Sequence, residues 1–283
     1  MAGRYEISSE RWAMIEAIVS PPQHMGCPWR DDRQVLNDIF WILCSGAKWR
    51  DLPERFGPWK TVYQRFRQWR DNGAFEQVLR HLHFRLRQDG FIDLDIWMVD
   101  STSIRATQVA SGAGKNGPQE PQHHGLGRSR GGLTTKIHLA CDSHSFPLAV
   151  MLSPSEEADS RYFMPLLEQI SLPGSKGRPC KRCRYVLADK DYDSQMLRQY
   201  CDRYGMQPII PLRKVHRKLR PGLPQLFDRP QYKKRNVIEL LFSWLKEKRR
   251  LCTRYDKLAS SFKAMVTLAC IEKCLRADFS DKA

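Results

Sequence analysis

The order of the apolar patterns after residue 91 constrains the fold of this chain more than any other feature. Apolar residues alternate with others over Ile92–Met98, which predicts a strand, and Asp100 continues the same parity at its end. Similar patterns predict strands at 133–141, 146–152, 185–188 and 206–211, and helices at 161–170 and at 194–204 with Asp193 as N-cap. Three adjacent strands followed by alternating helices and strands indicate an α/β fold, with a mixed sheet that has an antiparallel portion and is flanked by helices.

Residues from about 8 to 88 have a different, helical pattern. Apolar residues at helical spacing predict one helix over 33–44 and a second that begins at Pro58 and closes at Asn72-Gly73. The second helix carries Lys60 and Arg67 on its outer, basic face. Two helices joined by a short turn resemble a DNA-binding helix-turn-helix motif. A plain helical bundle with a solvated basic face is the alternative.

The charge of the chain indicates a polyanionic partner. The sequence has 47 Lys and Arg residues against 31 Asp and Glu residues, a formal net charge of +16. Between Pro211 and Arg254 there are fourteen basic residues and three acidic ones. Because each phosphate contact releases counterions, clustered positive charge favours nucleic-acid binding over an indifferent basic surface.

Several other classes of protein are disfavoured. No stretch reaches the roughly 18 consecutive apolar residues of a membrane span, and the N-terminus MAGRYEISSERW lacks the apolar core of a signal peptide. Nine scattered cysteines, an odd number, indicate reduced thiols. The CxxC pair of Cys180 and Cys183 has no second pair at the spacing of a structural zinc site. We therefore expect a cytoplasmic protein.

Three acidic residues stand out by their positions. Asp100 and Asp189 each follow an apolar strand segment, and Glu239 lies in a basic helix predicted over 235–251. Carboxylates at strand ends lie where an open α/β sheet presents its site, and their hard oxygens suit Mg²⁺. Two such ions can activate a nucleophile and stabilise a leaving oxygen in phosphodiester displacement. Each residue taken alone is more often a cap or a surface charge.

The basic helix adds a geometric argument. At about 100° per residue, Arg235, Glu239 and Lys246 share one face over about three turns, whereas Trp244 lies on a mostly apolar face that would pack on the sheet. A carboxylate flanked by two cations is suited to holding a metal beside a phosphate backbone. Ordinary pairing of Arg235 with Glu239 across one helical turn is the alternative.

The motifs of the chain resemble those of a known family. The spacing Y-x2-R-x3-E-x6-K, the YREK signature of bacterial DDE transposases, is formed by Tyr232, Arg235, Glu239 and Lys246. Four further segments resemble the insertion sequence 5 family: VDST at 99–102, GRSRGGLTTKIHLACD at 127–142, ADKDYDS at 188–194 and, from its helical domain, WRDLPERFGPWKTVYQRFRQW. The resemblance covers about residues 10–275.

This resemblance implies a ribonuclease-H-like catalytic domain over 91–283, preceded by a small helical DNA-binding domain over 1–90. It implies that Asp100, Asp189 and Glu239 form the catalytic triad and bind two Mg²⁺ ions, for which Mn²⁺ can substitute. Such an enzyme cuts the terminal inverted repeats of its element and joins the free 3′-OH to target DNA, without a protein nucleophile.

The expected partner is double-stranded DNA, both the element ends and the target, with no membrane. The DNA-contacting residues are expected to be Tyr232, Arg235, Lys246, Arg128, Arg130, Lys136, Lys60 and Arg67. We expect the segment Gln108–Gly132 to be a flexible loop that orders on DNA. The pairing of two element ends favours a homodimer or larger assembly on DNA, at the nucleoid of a bacterial cytoplasm.

One residue departs from the family pattern. In the ADKxYD motif the residue after Lys190 is usually Gly or Ala, and here it is Asp191. A carboxylate so near Asp189 could crowd the metal site or mark a weakened copy. Two alternatives stay open: a DNA-binding protein with a decayed catalytic domain, and a structure-selective nuclease that cuts but does not join.

Overall fold

A computed structural model of the chain describes residues 6–21, 30–113, 120, 121, 123–213 and 227–277. The helices are α1 Ser9–Val19, α2 Asp32–Ser45, α3 Trp59–Asp71, α4 Ala74–Gln88, α5 Ser160–Gln169, α6 Gln195–Arg203, α7 Arg229–Lys233, α8 Asn236–Glu247, α9 Arg249–Cys252 and α10 Ala259–Leu275. The strands are β1 Ile96–Ala106, β2 Gly127–Ser129, β3 Gly132–Asp142, β4 Pro147–Pro154, β5 Tyr185–Leu187, β6 Gln207–Ile209 and β7 Thr253–Arg254. Within these ranges, none of the helices is long and apolar enough to cross a membrane.

The strands form one mixed sheet. Its central order is β4-β3-β1-β5-β6, with β2 extending the edge of β3 and β7 pairing with the end of β1. β3 runs antiparallel to β1 and β4, whereas β1, β5 and β6 are parallel to one another. The sheet is thus mixed, with the antiparallel portion that the sequence predicted. The expected α/β fold class is therefore confirmed.

β1 is longer than the sequence predicted, so the placement of Asp100 at the end of a strand was wrong. Asp100 is the fifth of eleven residues in β1, and the pairing with β3 continues to Arg105 opposite Thr134. Beyond Asp100, Ser103 and Arg105 point to solvent while Ile104 is buried. The second half of the strand is polar because one face of the sheet is open there.

The N-terminal helices form where their patterns predict them. α2 ends at Gly46, whose left-handed φ of 71° closes the helix. α3 follows Pro58 and buries Val62, Phe66 and Trp69. Residues 46–58 connect the two helices through two short 3₁₀ turns, a longer connection than the three- to four-residue turn of a helix-turn-helix.

Two local predictions were wrong. The helix expected over 235–251 is interrupted at Lys248, whose backbone is extended (φ −73°, ψ 105°) and whose ammonium pairs with Glu272 of α10 at 2.7 Å. The N-cap of α6 is Ser194, which accepts a hydrogen bond from Leu197 N at 3.2 Å. Asp193 instead pairs with the side chain of Arg198 at 3.0 Å.

α10 lies at the centre of the hydrophobic core. It is apolar nearly all round, as expected of a fully surrounded helix, and packs against α4 on one side and β4 on the other. One contiguous core therefore joins the N-terminal helices to the sheet. The domain boundary at residue 90 stays a prediction.

The segment predicted as a flexible loop is described only in part, because residues 114–119 and 122 lie outside the described residues. At its described end, the Glu120 carboxylate accepts hydrogen bonds from Ala259 N and, at 3.1 Å, from Ser260 N. Glu120 thus caps the N-terminus of α10 and ties this end of the segment to the core.

Candidate active site

The pairing of two parallel strands brings Asp100 and Asp189 together. Met98 of β1 lies opposite Leu187 of β5. Asp100 comes two residues after Met98, and Asp189 comes two residues after Leu187. Asp189 also begins a 3₁₀ turn, and its Oδ1 accepts a hydrogen bond from Asp191 N at 2.8 Å. Burial raises the pKa of both aspartates, and the charge of Asp189 raises the pKa of Asp100 further. The sheet therefore presents two neighbouring carboxylates.

Arg235 connects Glu239 to this pair. It lies at the N-terminus of α8, and its Nη1 donates to Asp100 Oδ2 at 2.6 Å. Its Nη2 donates to Glu239 Oε1, also at 2.6 Å, across one helical turn. The guanidinium charge lowers the pKa of Asp100 against the effect of burial. The pairing of Arg235 with Glu239 across one helical turn, given above as the alternative, is therefore present. Arg235 also forms a second ion pair, with Asp100 of the sheet.

Two of the three carboxylates bind one cation, Arg235, and the three do not converge on one point. In the described part of the chain, no three His, Cys, Asp or Glu side chains lie close enough to form a preformed metal centre. Glu239 is 52% exposed, and the Arg235 guanidinium lies between it and Asp100. The oxygen donors suit a hard divalent cation, and Arg235 shows that this position accepts positive charge.

Two other residues of the YREK spacing lie on the same side of the site. The ring of Tyr232, in α7, lies 6.0 Å from the guanidinium carbon of Arg235 and 5.1 Å from the ring of Phe227. Lys246 is exposed on α8, about 10 Å along the helix from Glu239. Trp244 packs against the core, as its apolar face predicts.

The other expected DNA contacts lie on β2, β3, the hairpin between them and α3. Lys136 Nζ pairs with Asp159 at 2.7 Å and donates to the carbonyl of Glu157, so its charge is already compensated. Arg128 and Arg130 are exposed at the β2–β3 hairpin, roughly 20 Å along β3 from the level of Asp100. On α3, Lys60 and Arg67 are exposed together.

Asp191, the departure from the family pattern, forms an ion pair with Arg213. Its Oδ1 pairs with Nη2 of Arg213 at 3.1 Å, and the same guanidinium donates to the carbonyls of Lys190 and Asp191. Both side chains of this ion pair are about half exposed. Asp191 still contributes to the raised pKa of Asp189 through its charge, after the larger effect of burial.

The comparisons with known proteins decide the family. A family model described as "Transposase DDE domain" matches residues 93–271, and one described as "Putative transposase of IS4/5 family (DUF4096)" matches residues 7–79. The chain belongs to the DDE transposase family. The resemblance to insertion-sequence transposases is therefore confirmed.

Two insertion-sequence relatives agree with this assignment. The putative transposase for insertion sequence element IS402 of Burkholderia cepacia is 30% identical over 141 residues, which span 50% of this chain and 62% of that protein. This chain thus covers less than two thirds of the IS402 protein. The putative transposase for insertion sequence element IS6501 of Brucella ovis is 31% identical over 144 residues, 51% of this chain and 100% of that protein. The crystal structure of a pre-cleavage Mos1 transpososome aligns with 90% of this chain and 81% of that chain, at 12% identity and a TM-score of 0.24.

Two residues near the site were missed by the sequence reasoning. Tyr192 is almost fully buried beside the aspartates, and its pKa is raised by burial and then by the charges of Asp100, Asp159 and Asp189. Asp159 contributes to the raised pKa of Asp189 as well. The tyrosine of the ADKDYDS segment was visible in the sequence, whereas nothing in the pattern around Asp159 distinguishes it from a loop residue.

Proposed function

We propose that this protein cuts DNA at the terminal inverted repeats of its element and joins the free 3′-OH to target DNA. The observation that carries the proposal is the adjacency of Asp100 and Asp189 on neighbouring strands, linked through Arg235 to Glu239. A strongly basic chain of the DDE transposase family is suited to such phosphodiester chemistry. The substrate is double-stranded DNA.

Asp100, Asp189 and Glu239 would bind two Mg²⁺ ions, for which Mn²⁺ can substitute. The bound ions would supply the activation of the attacking hydroxyl and the stabilisation of the leaving oxygen. The fit rests on the chemistry of the donors, three carboxylates of which two already bind a guanidinium. For the carboxylates to act as ligands, Arg235 releases Asp100 and Glu239.

DNA offers Arg235 a replacement partner. The planar guanidinium can bind a phosphate group through two parallel hydrogen bonds, as it binds a carboxylate. The ring of Tyr232 lies within cation–π distance of the guanidinium, and would hold it in place after the exchange. Lys246, on the exposed face of α8, would contact the backbone further along the duplex.

The remaining DNA contacts would come from other surfaces. Lys60 and Arg67 on α3 would bind the element end as part of an N-terminal DNA-binding domain, residues 1–90. Arg128 and Arg130 at the hairpin would contact DNA at a distance from the chemistry. Lys136 would do so only after leaving Asp159. The active assembly would be a homodimer or larger on paired ends, acting at the nucleoid in the bacterial cytoplasm.

A cleavage and joining assay tests the proposal. Purified protein would be incubated with labelled duplex DNA that carries the element's own ends, with Mg²⁺ or with EDTA, beside Glu239→Gln as the inactive comparison. We expect nicked and joined products that require Mg²⁺ and are lost in the variant. Binding without cutting in wild type would indicate a decayed transposase, and cutting without joining would indicate a nuclease; either result rejects the proposed function.

A further inference from the structure

A loop far from the carboxylates carries concentrated charge that the proposed chemistry does not use. Residues 171–184, here called the basic loop, connect α5 to β5 and contain five basic residues and no acidic ones. The five are Lys176, Arg178, Lys181, Arg182 and Arg184. Lys176, Arg178, Lys181 and Arg184 are exposed.

The basic loop is fixed to the body of the protein. Leu172 and Cys180 exchange two backbone hydrogen bonds of 2.9 Å, and Leu172 and Cys183 are buried. Arg87 of α4 donates to the carbonyl of Leu172 at 2.5 Å. The cysteine pair noted in the sequence therefore serves, through Cys183, to anchor the loop.

In the part of the chain that the structure describes, the basic loop keeps its positive charge. Among the described residues, no carboxylate lies within ion-pair distance of any of its five basic side chains, whereas Arg198, Arg213 and Arg235 next to the carboxylates are all paired. Arg182 stacks on Tyr204 instead, with its guanidinium carbon 4.2 Å from the ring centroid. Glu168 and Asp202 are exposed on the adjoining helices α5 and α6, and they leave an excess of positive charge.

We propose that the basic loop binds the phosphate backbone of the same DNA duplex whose cleaved phosphate lies at Asp189. This inference rests on the proposed function for the position of that phosphate. Arg184 and Asp189 lie at opposite ends of β5, five residues and about 16 Å apart. At about 3.4 Å per base pair, the loop meets the backbone about five base pairs from the cleavage point.

The test is the binding of duplex DNA without metal, measured by fluorescence anisotropy at 50 and 200 mM salt. The variant K176Q/R178Q/K181Q removes three charges, and K176R/R178K/K181R is the matched control that keeps them. The logarithm of Kd rises with the logarithm of the salt concentration by about 0.9 per phosphate contact. If the three side chains make three such contacts, the ratio of Kd at 200 mM to Kd at 50 mM should be about 40-fold smaller for the Gln variant than for wild type. The control should match wild type, and thermal unfolding should confirm that both variants are folded.

Trimmed duplexes locate the contact. One duplex keeps only three base pairs upstream of the cleavage point, and another keeps only three base pairs downstream of it. We expect the Gln variant to match wild type on one of the two and to remain weaker on the other. An unchanged salt ratio on the full duplex, or equal loss on both trimmed duplexes, overturns the inference. If wild type itself fails to bind the duplex, the proposed function fails with it.

Discussion

The two ion pairs of Arg235 differ in burial, and this difference predicts unequal energies. Arg235 and Asp100 are each 16% exposed, whereas Glu239 is 52% exposed. An exposed pair contributes about 0–1 kcal/mol, and breaking a fully buried pair costs about 3–5 kcal/mol. We therefore expect a coupling of about 2 kcal/mol between Arg235 and Asp100, and below about 1 kcal/mol between Arg235 and Glu239.

Two double-mutant cycles measure these energies without DNA and in EDTA. The first uses Arg235→Gln, Asp100→Asn and the double variant in urea unfolding, and the second replaces Asp100→Asn by Glu239→Gln as the matched comparison. High salt should weaken the Glu239 coupling more, because that pair is more exposed. Equal couplings in the two cycles, or an Asp100 coupling within the roughly 0.5 kcal/mol scatter of independent sites, would refute the reasoning.

Three further outcomes are expected. Burial lowers the pKa of His83 to about 4. The stability that its neutral ring contributes is therefore lost as pH falls from about 6.5 toward about 4, by up to about 3 kcal/mol. Acid unfolding of His83→Gln should show a shallower loss of stability than wild type, and an identical profile would reject this role of His83. Glu120→Gln should lower the unfolding free energy by about 1–2 kcal/mol by weakening the cap of α10. Burial raises the pKa of Glu120, but its hydrogen bonds lower that pKa more, so the difference from wild type should begin to shrink as pH falls below about 4.3. Lys60→Gln with Arg67→Gln should reduce the salt slope of binding to element ends by about 1.8, and an unchanged slope would show that this helix face does not contact DNA.

Local patterns predicted most of the elements, because each depended on residues close in sequence. The alternation over Ile92–Met98 and the two segments after Gly132 gave the antiparallel strands β1, β3 and β4. The amphipathic pattern from Pro58 to Asn72 gave α3 with its buried face correct. The apolar alternation stops at Met98, whereas β1 continues to Ala106 through polar residues on its solvent-facing side. The sequence therefore predicted an end of β1 that is too early.

The missed features depend on contacts between distant parts of the chain. Lys248 interrupts the basic helix where its ammonium reaches Glu272, 24 residues away. Arg235 contacts Asp100 across 135 residues, so the sequence could place the two on suitable elements without showing that an ion pair joins them. The fixation of Asp191 by Arg213, across 22 residues, is another example. Helical and strand periodicities carry no information on such pairs.

We propose that Asp189, together with Asp100 and Glu239, carries out metal-dependent DNA cleavage, while its neighbour Asp191 does not. Single-turnover nicking of end-containing DNA in Mg²⁺ tests this most directly, with wild type, Asp189→Asn and Asp191→Asn compared at equal DNA occupancy. We predict that Asp189→Asn abolishes nicking without loss of DNA affinity and that Asp191→Asn keeps it. Full nicking by Asp189→Asn, or its loss only in Asp191→Asn, would contradict the assignment.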